Sequence, residues 1–424
     1  MKPIYITAIS ISYAATIILG TTQLQANTLN NHESKKASLH KLLTKIKPDS
    51  YITLSQRQIL DKRFINNKIN HKSVSPEVAD KLQTALDKTI EKDGVGASVK
   101  IISPLGKWVT TSGVSNLETQ TSVESGDKFQ IGSITKTFTA VVVLKLAEEG
   151  KLSLDDTLEK WLPEIAQNIP DGNDITIRQL LNGSSGIYDV IENINTPLYQ
   201  EILKNPRREW KPEELIVYAE GKERQEWVYP NTGFFIAGMI IEKATNSTIA
   251  TEIRRLISEP LGLKNTFFYT EEIPGKLVKG YIDIPPGDGK LDDVSFVNIS
   301  FAGASGGLIS NPEDVTKFFQ ALLGGKLLKR HSFQEMFTFI DTKETNINRR
   351  YGLGIQLVEA ETSELGKFTF IGHGGTIPSG FGAGMWVYPE FAVQLVYSEN
   401  KQPGSNIPLT ILETLSQINS LEKT

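Results

Sequence analysis

Three short stretches of the chain hold side chains able to pass a proton or attack a carbonyl: Ser133 with Lys136, Tyr229 with Asn231, and His373 beside Gly374-Gly375-Thr376. Ser133 and Lys136 stand one helical turn apart, so on a helix they share a face. A serine hydroxyl is a weak nucleophile until a neighbour takes its proton. An amine near the positive end of a helix, and partly desolvated, has its pKa pushed down and can act as that base. Taken alone, the pair reads more simply as a helix cap and a surface lysine. Tyr229-Pro230-Asn231 offers a phenol able to relay a proton and an amide able to hold a substrate amide, or else a turn with a buried tyrosine. The glycines after His373 allow close approach of another backbone, with N–H groups free to face a developing oxyanion; the plain alternative is a glycine turn between strands.

These residues need elements to position them. Ile134 to Leu146 is almost wholly apolar or small, which predicts a helix buried nearly all round, stopped at Gly150. Ser75-Pro76 opens an earlier helix whose apolar stripe is Val78, Leu82, Leu86 and Ile90. Val95 to Ser103 and Trp108 to Val114 flank Pro104-Leu105-Gly106 and predict a β-hairpin. Leu152 to about Val294 reads as mostly helical and loop-rich, with helices over Thr176 to Leu181 and Gly233 to Ala244. Asn311-Pro312 starts a helix through Leu323. Strands are then expected over Tyr351 to Val358, Lys367 to Ile371, Phe381 to Tyr388 and Phe391 to Ser398, with His373 just after the second and a closing helix from about Asn406 to Leu421. The last two strands must form an antiparallel hairpin, because Pro389-Glu390 is too short for a crossover. The expected fold is α/β of the α+β type: an antiparallel sheet built from both chain ends, flanked by helices, with a largely helical insertion at about 152–294.

Composition narrows the field. With 424 residues, 39% hydrophobic and 22% charged, the chain can bury a large core. A net charge of −4 with no basic stripe argues against a nucleic-acid partner. There is no cysteine, and the five histidines (His32, His40, His71, His331, His373) have no ligand spacing, so neither metal nor cofactor is expected. Lys2, the apolar run Ile4 to Leu19 and Leu24-Gln25-Ala26 resemble a cleavable export signal over 1–26, giving a periplasmic or secreted protein; if uncleaved, this segment would be the one membrane contact. Residues 27–73 are polar and lysine-rich, with Leu39, Leu42, Leu43 and Ile46 at helical spacing, and read as a linker or docked helix. The domain proper is expected over 74–424.

In chain order the three stretches match S-x-x-K, Y-x-N and K/H-x-G, and so resemble the serine penicillin-recognising hydrolases. That family includes soluble D-alanyl-D-alanine carboxypeptidases, class C β-lactamases, esterases and D-amino-acid peptidases. Gly150 to Asp156, Thr176 to Leu181, Ser185-Gly186-Ile187 and Tyr351-Gly352-Leu353-Gly354 are similar to the carboxypeptidase branch. The resemblance implies attack by Ser133, with Lys136 and Tyr229 shuttling its proton. It implies an oxyanion hole from the Ser133 and Thr376 amides, Asn231 on the substrate amide, Gly375 beside the substrate, and His373 tuning Tyr229 and assisting proton transfer. Phe301 would pack on substrate or in the core. The expected partners are a small peptide, ester or β-lactam, and peptidoglycan. The branch usually carries a threonine and an arginine for a terminal carboxylate; here those positions are Gly374 and Gln356, and losing such an anchor costs several kcal/mol unless another cation replaces it.

Two rivals remain. Gly303-Ala304-Ser305-Gly306-Gly307 is a literal G-x-S-x-G, which with Asp341 and His373 would follow the order of an α/β-hydrolase. It would need a helix straight after Ser305 and a parallel sheet. A peptidoglycan-binding module without turnover is the other, but it has no need of an activated nucleophile.

Overall fold

The computed structural model describes residues 72–191, 196–284, 289–344 and 347–421. The expectations for the export segment, for the helix near Leu39 to Ile46, and for His32, His40 and His71 lie outside the described residues.

Helix α1 (Pro76–Asp93) begins where Ser75 accepts a hydrogen bond from the Val78 amide, with Pro76 in the first turn. Its buried stripe is Val78, Leu82, Leu86 and Ile90. Strands β1 (Gly96–Ser103) and β2 (Gly106–Asn116) form the expected hairpin, and β3 (Thr121–Ser122) pairs on β2. Helix α2 (Thr135–Glu148) is buried on almost every side. A run of short helices follows, including α3 (Ile177–Asn182), then the apolar α4 (Asn231–Thr245). Helix α5 (Pro312–Leu323) is capped by Asn311, whose side chain accepts from the Asp314 amide at 3.0 Å.

The remaining strands of the main sheet are β4 (Ile340–Asp341), β5 (Asn348–Tyr351), β6 (Gln356–Thr362), β7 (Gly366–Ile377), β8 (Phe381–Tyr388) and β9 (Val393–Glu399). Helix α6 (Ile407–Leu421) comes last. Among the described residues they make a nine-stranded sheet in the order β3-β2-β1-β9-β8-β7-β6-β5-β4, antiparallel throughout. The junction of β1 with β9, Val99 opposite Tyr397 and Ile101 opposite Leu395, joins the two ends of the domain as the sequence predicts.

The central strands read as unbroken apolar runs because both faces are covered. In β8, Ala383, Met385 and Val387 face the core shared with α2 and α5, while Trp386 and Tyr388 face the cluster under α1 and α6. That is the period-two alternation of a strand.

The structure differs from the sequence expectation in two places. Tyr351 to Val358 is not one strand: the chain turns between β5 and β6, with the Gly352 amide donating to the Ile355 carbonyl at 2.8 Å. And β7 does not end at Ile371. It continues through His373-Gly374-Gly375-Thr376, because those residues stay paired with Met385 to Gly382 of β8.

Candidate active site

Ser133 lies in a tight turn (Gly132–Ile134) at the entrance to α2, and Lys136 in the first turn of that helix. Side chains of α2 fasten the surroundings to it. Thr135 donates to the Gly132 carbonyl at 2.7 Å, Thr137 to that of Gly354 at 2.7 Å, and Thr139 to that of Ala304 at 2.8 Å. These bonds satisfy hydroxyls that the apolar helix buries, and they draw the β5–β6 turn and the Ser305 segment up to the lysine.

Lys136 is fully buried. Its Nζ sits 3.0 Å from Ser133 Oγ, 2.7 Å from Asn231 Oδ1 and 3.0 Å from the Ser305 carbonyl oxygen. Burial pushes its pKa down to about 7, against the opposing pull of Asp189. The partner set then decides the chemistry. A neutral amine has two hydrogens and one lone pair. Asn231 Oδ1 and the Ser305 carbonyl can only accept, so they take both hydrogens. Ser133 is the one partner of the three that can donate, and the lone pair falls to its hydroxyl. The neutral lysine is therefore arranged to receive the Ser133 proton.

The amide of Asn231, the first residue of α4, is oriented from behind. Its Nδ2 donates to Asp189 Oδ2 at 2.7 Å, leaving Oδ1 for the lysine. The Tyr229 ring lies 4.8 Å from Lys136 Nζ. Behind it, the Tyr229 and Tyr351 hydroxyls share a hydrogen bond, and Tyr351 is 2.8 Å from His373 Nε2. The Arg349 guanidinium stacks 5.7 Å from the centre of the Tyr229 ring and is held by Glu344, with Nε to Oε2 at 2.7 Å. A cavity of ≈ 580 Å³ opens beside Tyr229, lined by Tyr188, Asp189, Trp227, Lys343 and Glu344 among others.

His373 reaches the site in a form other than the expected proton carrier. Its Nδ1 is 2.6 Å from the Gly374 carbonyl oxygen, which can only accept, so Nδ1 carries the hydrogen. Its Nε2 lone pair is occupied by Tyr351, and the Gln356 amide nitrogen lies 3.4 Å away. Burial above all, then the Lys136 charge, pushes its pKa down to about 3. It is a fixed neutral acceptor that hydrogen-bonds toward Tyr229 through Tyr351, its ring tilted against that of Tyr229 with centroids 6.4 Å apart.

The backbone of β7 lies directly against the Ser133 turn. A Cβ built on Gly375 would fall 2.0 Å from the Ile131 carbonyl oxygen and 3.1 Å from the Ser133 nitrogen. One built on Gly132, itself at φ +50°, would fall 2.9 Å from the Thr376 nitrogen. Glycine at both positions lets the Ser133 and Thr376 amides come together, and Thr376 is exposed there. β6 pairs with β7 only as far as Gly372, and among the described residues no further strand covers that edge of His373 to Ile377.

Two sequence candidates take other places. Phe301, 1% exposed, is part of the apolar core, so of its two expected roles the packing one fits. Ser305 sits within one helical turn (Gly303–Gly306) that is followed by a strand, the reverse of a nucleophile elbow; its hydroxyl donates to the Ala302 carbonyl at 2.8 Å. Asp189, Tyr351 and Arg349 were missed by sequence reasoning. Arg349 and Tyr351 share one face of β5 by the period of two, a signal present two residues before Tyr-Gly-Leu-Gly rather than after it. No signal short of the fold marks Asp189.

Comparison with known proteins agrees with this geometry. The family described as Beta-lactamase matches residues 79–413. Penicillin-binding protein 4* of Bacillus subtilis (strain 168) is 25% identical over 323 residues, covering 72% of this chain and 68% of the relative. A D-stereospecific amidohydrolase from Streptomyces sp. superposes with a TM-score of 0.67 at 32% identity, over 79% of this chain and 97% of the other. The D-amino acid amidase of Ochrobactrum anthropi SV3 gives 0.69 at 25% identity, over 81% and 99%. The chain belongs to the Beta-lactamase family of serine penicillin-recognising hydrolases.

Proposed function

We propose that the protein is an exported hydrolase that forms an acyl-enzyme on Ser133 and cleaves the amide bond of D-amino-acid substrates. The observation that carries the chemistry is the 3.0 Å contact between Ser133 Oγ and a fully buried lysine whose other partners can only accept. Lys136 takes the Ser133 proton as Oγ attacks the carbonyl. The Ser133 and Thr376 amides receive the oxyanion. As the C–N bond breaks, the proton held by Lys136 is relayed through Tyr229 to the leaving nitrogen, which restores the neutral lysine and lets the amine depart. Water then releases the acyl group. Export is supported by the N-terminal run from Lys2 to Ala26.

The carboxypeptidase form of this activity, on D-alanyl-D-alanine cell-wall peptides, is the one expected from the sequence. An amidase form, whose leaving group has no carboxylate, is favoured by a specific observation. Gly374 has no side chain, Gln356 is buried against His373, and the nearby Arg349 is already taken up by Glu344. The relationship to a D-amino acid amidase and a D-stereospecific amidohydrolase supports the same form. Hydrolysis of D-alanine amide and of D-alanyl-D-alanine by the purified protein separates the two. Faster turnover of the amide supports the amidase form; faster turnover of the dipeptide restores the carboxypeptidase. Turnover that persists in Ser133→Ala would overturn both.

A further inference from the structure

We propose that Asp189 is a positioning residue of this site: it fixes the Asn231 amide and supplies the buried negative charge that balances Lys136 once it has taken the Ser133 proton. The inference rests on the reading of Lys136 as the base.

The first half follows from donor and acceptor accounting. Both Asp189 oxygens are acceptors in use: Oδ1 receives the Ile191 amide at 3.0 Å and Oδ2 receives Asn231 Nδ2 at 2.7 Å. Turning the Asn231 amide over would set its oxygen against a carboxylate oxygen at 2.7 Å and its NH2 against the lysine amine at 2.7 Å. The first contact is repulsive, and the second would set a donor against the lone pair that has to receive the Ser133 proton. With Asp189 present, Lys136 meets only oxygen on that side.

The second half concerns charge. When the Lys136 lone pair accepts the Ser133 proton, the Oγ electrons form the bond to the acyl carbon. An ammonium is then left on a fully buried side chain, an expensive product unless an opposite charge lies close. The other groups facing Lys136 do not provide one. Tyr229 offers its ring face; His373 on β7 is neutral; Tyr351 on β5 keeps its proton because burial raises its pKa; Arg349 is cationic, with its charge paired to Glu344. Asp189, 5% exposed, is the carboxylate linked to the lysine through a single amide.

The segment carrying Asp189 is anchored independently of it. Thr232 on α4 donates to the Tyr188 carbonyl at 2.9 Å and accepts from the Val190 amide at 3.2 Å. Asp189→Asn therefore leaves the backbone in place while removing the charge.

The test is the pH dependence of acylation by p-nitrophenyl acetate, followed from the burst of released nitrophenol in wild type and Asp189→Asn. Without the carboxylate the lysine loses its proton more readily, so the acid limb should move about one unit to lower pH. The plateau should fall about tenfold, because the base is weaker and its ammonium is unbalanced. A purely structural role would lower the plateau and leave the limb where it was, and that result overturns the proposal. Asp189→Ser, whose hydroxyl can still accept from the Ile191 amide, is the second neutral variant and must shift the limb in the same direction. A wild-type profile with no acid limb near pH 7 would instead remove Lys136 as the base, a failure of the underlying reading that an unshifted limb does not mimic.

Discussion

Placing one methyl group on Gly375 tests the contact on which the oxyanion geometry depends. An alanine Cβ there would lie 2.0 Å from the Ile131 carbonyl oxygen, 2.9 Å from its carbon and 3.1 Å from the Ser133 nitrogen. Ordinary contact between such atoms begins near about 3.4 Å, so β7 and the Ser133 turn would have to separate by more than about 1 Å. Both neighbours are backbone, and neither can swing aside as a flexible side chain would. Overpacking of this kind costs about 1–3 kcal/mol of stability, which a domain with this core survives. The larger loss should be kinetic. Displacing one oxyanion donor costs about 10²–10³-fold in kcat, and misplacement by about 1 Å costs about 10²-fold by itself. Gly375→Ala should therefore lower kcat on a chromogenic ester by at least about two orders of magnitude while circular dichroism shows a folded protein. Gly126→Ala is the control, since a Cβ there meets nothing within 4 Å. A Gly375→Ala enzyme within about threefold of wild type would refute the reasoning, because the strand would then be free to move without consequence for the site.

Other outcomes follow from the same site and core. The kcat/KM profile should rise with pH through about 7 as a single ionisation, that of Lys136, with none from His373, which is pushed down to about 3; a limb that needs two ionisations to describe it would contradict the fixed neutral form of His373. Lys136→Met should abolish acylation and lower the thermal midpoint, because the buried Asn231 Oδ1 and Ser305 carbonyl lose their hydrogen-bond donor; intact mass and calorimetry read the two effects. Glu399, 1% exposed, accepts from the Ser405 amide at 2.6 Å through Oε2, and burial raises its pKa from 4.5 to about 7. The folded state thus holds a proton that the unfolded chain releases, and stability is lost as pH rises from about 4.5 through 7. Glu399→Gln should flatten that slope, which is worth on the order of 3 kcal/mol by urea unfolding at pH 5 and pH 8.

Much of this arrangement was legible from residue order. The apolar run after Ser133 could only be a buried helix, and Ser75-Pro76 and Asn311-Pro312 marked helix starts because the capping chemistry is local. The Pro389-Glu390 link forced β8 and β9 to be antiparallel neighbours. Tertiary pairing decided what the local pattern did not. His373-Gly374-Gly375-Thr376 looks like a turn by composition, yet it is strand because β8 pairs along it. Tyr351 to Val358 looks like one strand, yet it turns at Gly354, where φ is +65° and a Cβ would lie 2.7 Å from the Lys136 carbonyl oxygen. Asp189 and Arg349 escaped because their roles depend on burial beside residues 42 and 120 positions away in sequence, Asn231 and Tyr229. His373 lies inside β7 and not just after a strand, and its tautomer is set by neighbours such as the Gly374 carbonyl and Tyr351, which sequence order does not give.

The central claim is an acyl-enzyme on Ser133, and it is tested most directly by quenching the purified protein during turnover of a chromogenic ester, weighing it intact and mapping the modified peptide. The account predicts one acyl group per chain, on Ser133, and none in Ser133→Ala. Acyl transfer to Ser305 or any other residue, or unchanged turnover in Ser133→Ala, would contradict it.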